Sequence, residues 1–175
     1  MCGISGLISR DIESIDSFLS IAKDLQRHRG PDHQDKAQFK SLDWNIGMGH
    51  QRLSILDLSV DGNQPMRSGD GKDLIVYNGE VYNYLELREQ YLPLDLRSTT
   101  DTEVVVEMIK RFGIRRSLEL FNGMWAFAYF DGVSNKMFLS RDRAGVKPLY
   151  YYTDGQVLYF SSEIKTILSA SKLRF

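Results

Sequence analysis

Cys2 follows the initiator methionine, and a chain that begins at cysteine carries a thiol and a free α-amine on one residue. An initiator Met ahead of a small residue is normally excised. The α-amine then has a pKa of ~7.7–8, close enough to neutrality to take the thiol proton. Such a nucleophile brings its own base, as N-terminal threonine nucleophiles do. The plainer reading is a small buried hydrophobe, which is how most free cysteines behave. Position alone leaves both open.

Asn78-Gly79 has two readings as well. An Asn-Gly pair after a strand is the strongest short hairpin signal. Its chemical reading is an oxyanion hole, with the Asn78 amide and the Gly79 N–H aimed at a developing alkoxide. The continuation Glu80-Val81-Tyr82-Asn83-Tyr84 leads toward a helix rather than a returning strand, which weighs against a simple hairpin. Arg52 and Asp101 suit the two ends of an amino-acid zwitterion, since Arg grips a carboxylate bidentately and Asp pairs with an ammonium. Each also has an ordinary role, Arg52 as a surface charge and Asp101 as a helix cap. His28, His33 and His50 raise the alternative of a Cys–His pair, but none stands in a recognisable catalytic frame.

The elements that must position these residues are read from periodicity. Gly3–Ile8 is a short strand, followed by an amphipathic helix from about Ile15 to Arg27 with Ile15, Phe18, Leu19, Ala22 and Leu25 as its buried stripe. His28-Arg29-Gly30-Pro31-Asp32-His33 ends that helix. Strands are expected at Ala37–Ser41 and Trp44–His50, with a loop running through Asp61-Gly62-Asn63-Gln64-Pro65. Leu74-Ile75-Val76-Tyr77 is a buried strand that ends at Asn78-Gly79. A helix begins near Tyr84, and another is signalled by Thr100-Asp101-Thr102-Glu103 ahead of Val104, Val105, Met108 and Ile109. Strands at Met124–Phe130, Met137–Ser140, Leu149–Tyr152 and Val157–Phe160 alternate with turns, and a last helix starts near Ser162-Glu163. Hairpins with helices between them make a layered α+β domain over residues 1–175 rather than a parallel βαβ sheet.

Composition narrows the field. The chain has 175 residues, 42% apolar and 26% charged, as in an ordinary globular domain. A formal charge of −1 gives no electrostatic case for nucleic acid or an anionic membrane. No apolar run approaches the ~20 residues of a membrane span, and no signal peptide is apparent. A single cysteine suits the cytoplasm. Neither G-x-G-x-x-G nor a Walker A pattern occurs, so no nucleotide is expected in this chain.

Taken together, several segments resemble the class II glutamine amidotransferases. They are Met1-Cys2-Gly3-Ile4-Ser5-Gly6, His28-Arg29-Gly30-Pro31-Asp32, His50-Gln51-Arg52-Leu53-Ser54-Ile55-Leu56-Asp57 and Asn78-Gly79-Glu80-Val81-Tyr82-Asn83, then Thr100-Asp101-Thr102-Glu103, Gly123-Met124-Trp125-Ala126-Phe127-Ala128 and Arg141-Asp142-Arg143-Ala144-Gly145-Val146-Lys147-Pro148-Leu149-Tyr150. Any one is weak; the ordered set is specific. The Arg-Gly-Pro-Asp loop and the Arg141–Tyr150 segment are most similar to the N-terminal glutaminase domain of glutamine-hydrolysing asparagine synthetases. Gln51 stands where that family often has Glu, and Ala144 where it often has a bulkier residue.

The resemblance implies an N-terminal-nucleophile hydrolase fold, an αββα sandwich of two antiparallel sheets between helical layers. It implies Cys2 as nucleophile with its α-amine as base, and Asn78 and Gly79 as the oxyanion hole. Arg52 is expected on the glutamine α-carboxylate, Glu80 and Asp101 on the α-ammonium side, and backbone near Leu53 and Ile55 to complete the pocket. The expected products are glutamate and ammonia, the ammonia passing to an activated acceptor such as aspartate. That acceptor belongs to a synthetase domain or subunit, whose Ser-Gly-Gly-x-Asp-Ser loop is not found here. The chain is then a truncation or a stand-alone glutaminase. ATP and Mg²⁺ are expected only for that synthetase part, and no cofactor or metal in this chain. Homo-oligomerisation is compatible with the resemblance. The alternative is an inactive glutamine-binding or interaction module of the same fold.

Overall fold

The computed structural model describes residues 1–92 and 95–170; the last five residues of the expected 1–175 domain lie outside the described residues. Among the described residues, nine strands form two antiparallel sheets. One sheet joins β1 (Gly3–Ser9), β2 (His33–Ser41), β3 (Trp44–Arg52), β8 (Tyr150–Thr153) and β9 (Leu158–Ser161) in the order β2-β3-β1-β9-β8. The other joins β4 (Met66–Arg67), β5 (Leu74–Val81), β6 (Gly123–Asp131) and β7 (Lys136–Arg141) in the order β4-β5-β6-β7. Helices α1 (Ile12–Leu25) and α4 (Ile164–Ala170) cover the first sheet, and α2 (Tyr84–Tyr91) and α3 (Asp101–Leu120) cover the second. The layers are those expected.

Alternation along the strands explains how one chain fills three cores. Ile4, Ile46, Met48, Leu74, Val76, Ala126, Ala128 and Phe160 pack between the sheets. Leu7 and Tyr159 face the other way, onto Ile15, Phe18 and Leu19 of α1. Ile75, Tyr77 and Phe127 turn outward onto Val104, Val105, Met108 and Ile109 of α3. Each buried Val, Leu, Ile, Met or Phe side chain among them contributes ~1.5–3 kcal/mol by leaving water.

Several elements differ from the expectations in ways that shape the site. Helix α1 starts at Ile12 rather than near Ile15, because Asp11 caps it by accepting the Glu13 N–H at 3.0 Å. Strand β5 does not end at Asn78-Gly79; it runs on to Val81, with Asn78 opposite Ala126 and Gly79 opposite Trp125. Strand β3 reaches Arg52 because β2 begins earlier than expected and pairs His33 with it. Helix α3 is two helical segments meeting at Gly113, whose φ of 76° turns the chain where a Cβ would be strained.

Candidate active site

Cys2 lies just ahead of β1, the middle strand of its sheet, and its backbone is fastened from two sides. Arg29 Nε donates to the Cys2 carbonyl at 2.9 Å. Next along the strand, Ile4 N–H donates to Ser162 Oγ at 3.0 Å and Ser162 N–H to the Ile4 carbonyl at 2.9 Å. The His28–Asp32 loop motif places Arg29 in the sequence but gives no sign of its bond to the Cys2 carbonyl.

The Cys2 thiol rests against Leu53. Leu53 N–H donates to Sγ at 3.4 Å, and Sγ lies 3.6 Å from the Leu53 carbonyl. Burial pushes the thiol pKa up, while the Leu53 hydrogen bond, the chain's terminal amine, Arg52 and Lys147 pull the other way. With Met1 attached, the sulfur is therefore a thiol rather than a thiolate at neutral pH. Met1 itself is 56% exposed.

None of the histidines bonds to Sγ. His50 crosses the space between the sheets, its Nε2 3.1 Å from the Tyr77 carbonyl, and burial holds its pKa down at about 3. His28 pairs with Glu163 at 2.7 Å on the surface, and His33 opens β2. A Cys–His pair has no geometry here.

Cys2, Arg52, Leu53, Ile55, Gly79, Glu80 and Asp101 line one pocket. It opens where the end of β3, the end of β5 and the start of α3 meet. Asn78 is the exception among the expected site residues, lying behind the pocket wall at 2% exposure. Its Nδ2 is buried and has no hydrogen-bond partner among the described residues. An orphaned buried amide costs ~1–3 kcal/mol, and such groups call for an explanation. Gly79 fits only as glycine: a Cβ there would run into the Met124 carbonyl and lie 2.8 Å from Trp125 Cα.

Arg52 is 6% exposed, so it is no surface charge. Its Nη1 donates to the Ser59 carbonyl at 2.7 Å and Asn63 Oδ1 at 2.8 Å, and its Nη2 to the Asp57 carbonyl. These acceptors are neutral, and among the described residues no carboxylate forms an ion pair with the guanidinium. A buried cation without a counter-ion is costly until an anion arrives.

Asp101 supplies the opposite charge. Thr100 caps α3, accepting the Glu103 N–H at 3.3 Å, which leaves Asp101 free of that role. One Asp101 oxygen accepts Tyr77 OH at 2.7 Å and Val81 N–H at 2.9 Å. Burial raises its pKa; the Val81 and Tyr77 hydrogen bonds oppose the rise. Tyr77 is a further residue that the sequence reading passed over as core. Gln51 points away from the pocket, its Oε1 3.0 Å from where a Gly3 Cβ would stand, and Ala144 is exposed. Both departures from the family pattern therefore fall outside the site. Among the described residues, no three His, Cys, Asp or Glu side chains gather as a metal site.

The glutamine amidotransferase domain family matches residues 1–175. The chain belongs to that family. It is 43% identical over 187 residues to a putative glutamine-hydrolysing asparagine synthetase of Methanocaldococcus jannaschii, covering 99% of this chain and 36% of that protein. It is 34% identical to amidase chry2 of Gibberella zeae, covering 97% of this chain and 26% of that one. Among solved structures, glutamine phosphoribosylpyrophosphate amidotransferase of B. subtilis superposes with a TM-score of 0.78 at 19% identity, covering 97% of this chain and 44% of that one. That likeness establishes the two-sheet sandwich. The chain spans between 22% and 36% of the length of its curated relatives. Among the described residues, no helix of this amidotransferase domain is long and apolar enough to cross a membrane.

Proposed function

We propose that this domain hydrolyses the side-chain amide of glutamine, with Cys2 as nucleophile once Met1 has left, and supplies ammonia to an activated acceptor. One observation carries the reading: a single pocket presents a thiol, a buried cation with no counter-ion among the described residues (Arg52) and two carboxylates (Glu80 and Asp101). That set complements an amino acid bearing an α-carboxylate, an α-ammonium and an electrophilic side chain.

The steps follow from the groups present. The freed α-amine of Cys2 takes the Sγ proton, and the thiolate attacks the glutamine amide carbon. Gly79 N–H and the unpartnered Asn78 Nδ2 donate to the developing oxyanion. The proton passes to the departing nitrogen, ammonia leaves, and water cleaves the remaining thioester to glutamate. Arg52 receives the α-carboxylate; Asp101 and Glu80 receive the α-ammonium. The names of the relatives support aspartate as acceptor, activated with ATP and Mg²⁺ on a synthetase domain or subunit, with no cofactor needed in this domain.

The test is direct. Purified protein incubated with glutamine releases glutamate and ammonia in equal amounts, and Cys2→Ala releases neither. Turnover that persists in Cys2→Ala ends the proposal. The raised thiol pKa of the Met1-bearing chain favours a second reading, a glutamine-binding module without catalysis. Intact mass separates the two: loss of one methionine accompanies activity, and retention accompanies binding alone.

A further inference from the structure

The segment between β3 and the short helical turn at Val60–Gly62 forms the rim of the pocket, yet burial does little to hold it. Ile55, Leu58 and Val60 are 68%, 82% and 77% exposed. The same segment supplies two of the three oxygens that orient Arg52, the carbonyls of Asp57 and Ser59. Something other than apolar packing must fix those carbonyls.

Asp57 is the residue that does so. Its Oδ2 accepts the Thr99 N–H at 2.9 Å and Thr99 Oγ1 at 3.1 Å. Its Oδ1 accepts the Ser59 N–H at 2.8 Å. One carboxylate therefore ties three things together: its own backbone, the backbone of Ser59 and a segment 42 residues further along the chain. Thr99 directly precedes Thr100, the cap of α3, and Asp101 follows. We infer that Asp57 is a positioning residue for substrate binding, a latch that sets the spacing between the carboxylate-binding Arg52 and the ammonium-binding Asp101. The inference rests on glutamine as the occupant of the pocket.

The carboxylate is well made for the task. The Ser59 and Thr99 hydrogen bonds hold its pKa well below the usual carboxylate range, so the latch stays ionised across the working range of pH. Asp57 itself does not need to touch the substrate. Loosening it frees the Asp57 and Ser59 carbonyls and lets the guanidinium swing, while Cys2, Gly79 and Asn78 stay held by β1 and β5. The loss then falls on ground-state capture of the zwitterion, and such a loss raises KM while sparing kcat.

The experiment compares wild type, Asp57→Ala and Asp57→Asn in two measurements. One is steady-state glutaminase activity. The other is alkylation of Cys2 by iodoacetamide, followed by intact mass, at increasing glutamine; it reads occupancy without turnover. In Asp57→Ala, KM and the protecting glutamine concentration both rise about tenfold or more, with kcat within about twofold and unprotected alkylation unchanged. Asp57→Asn, whose amide oxygen still accepts the Thr99 N–H, recovers most of the loss. A fall in kcat at unchanged KM, or unchanged protection in Asp57→Ala, overturns the latch. Wild type that is protected by glutamine but does not hydrolyse it overturns the catalytic reading and leaves the protection comparison to decide the latch. Wild type showing neither overturns both.

Discussion

Tyr77 OH and Val81 N–H converge on one oxygen of Asp101, at 2.7 and 2.9 Å, and turn a residue at a helix start into a fixed anion at the pocket wall. In the proposed site the arrangement opposes stability to substrate binding. Burial raises the Asp101 pKa above its ordinary value, so the folded protein binds that proton more tightly than the unfolded chain does. By linkage, its contribution favours folding below the unfolded pKa and is lost as pH rises through the folded one.

Asp101→Asn keeps an acceptor for both donors and removes the charge. Its melting temperature at pH 7 should exceed that of wild type. The gain should vanish toward about pH 3, where wild-type Asp101 is protonated in both states. At the same time KM for glutamine should rise about tenfold or more as the ammonium loses its partner. Thermal scans against pH, paired with glutaminase kinetics, read both effects. A destabilised Asp101→Asn at neutral pH contradicts the account.

The base assigned to Cys2 can be removed without touching the thiol. Inserting a lysine between Met1 and Cys2 keeps the sulfur against Leu53 and moves the free amine off the cysteine. Glutaminase kcat should fall by about 10²–10⁴, the usual worth of a positioned general base. Intact mass confirms that the extra residue remains, and undiminished turnover would show that another group takes the proton.

Much of this domain was legible because its cores obey simple periods. Helix spacing marks Ile15, Phe18, Leu19 and Ala22 of the α1 stripe, which are buried, while Leu25 is only half-buried; the β-branched and aromatic run Leu74–Tyr77 is buried as expected, but its packing against Val104, Val105 and Met108 is visible only in the fold. The first four residues of β2, His33-Gln34-Asp35-Lys36, were not read, since they are polar on both faces of an edge strand and take their conformation from β3. Asn78-Gly79 misled about the end of β5 for a different reason. The pair that makes a tight turn elsewhere is here a close approach to β6 combined with an unpaired amide. The candidate residues that line the pocket were legible as types, but their restraints were not. Arg29 reaches Cys2 across 27 positions and Asp32 takes the Ser54 N–H across 22, and no local pattern encodes a partner so far away.

Asn78 offers a cleaner separation of catalysis from folding than most buried residues. Its Nδ2 bonds to nothing in the described protein, so Asn78→Ala removes a desolvated donor without breaking a hydrogen bond at that nitrogen. Losing one oxyanion donor typically costs about 10²–10³ in kcat, or about 3–4 kcal/mol of transition-state stabilisation. The melting temperature should hold within a few degrees, because the small cavity offsets the relief of an unsatisfied amide. Unaltered kcat with a large fall in melting temperature would reassign Asn78 to the core.

Arg52 tests whether shape matters as well as charge. Its two terminal nitrogens reach the carbonyls of Ser59 and Asp57 and the Asn63 amide oxygen while the cation remains unpaired, a division of labour that a planar fork permits. Lysine brings one compact ammonium, which must choose between the loop oxygens and the substrate. Arg52→Lys should therefore bind glutamine more weakly, raising KM about tenfold to a hundredfold at the cost of one bidentate charged contact. Arg52→Met should be worse, since it removes the charge altogether. The distinguishing measurement uses 4-aminobutanamide, which is glutamine without its α-carboxylate. If Arg52 grips that carboxylate, wild type and both variants hydrolyse the truncated amide with similar kcat/KM, and the penalty appears with glutamine alone. Equal penalties on the two substrates would place Arg52 in the scaffold of the loop rather than on the substrate.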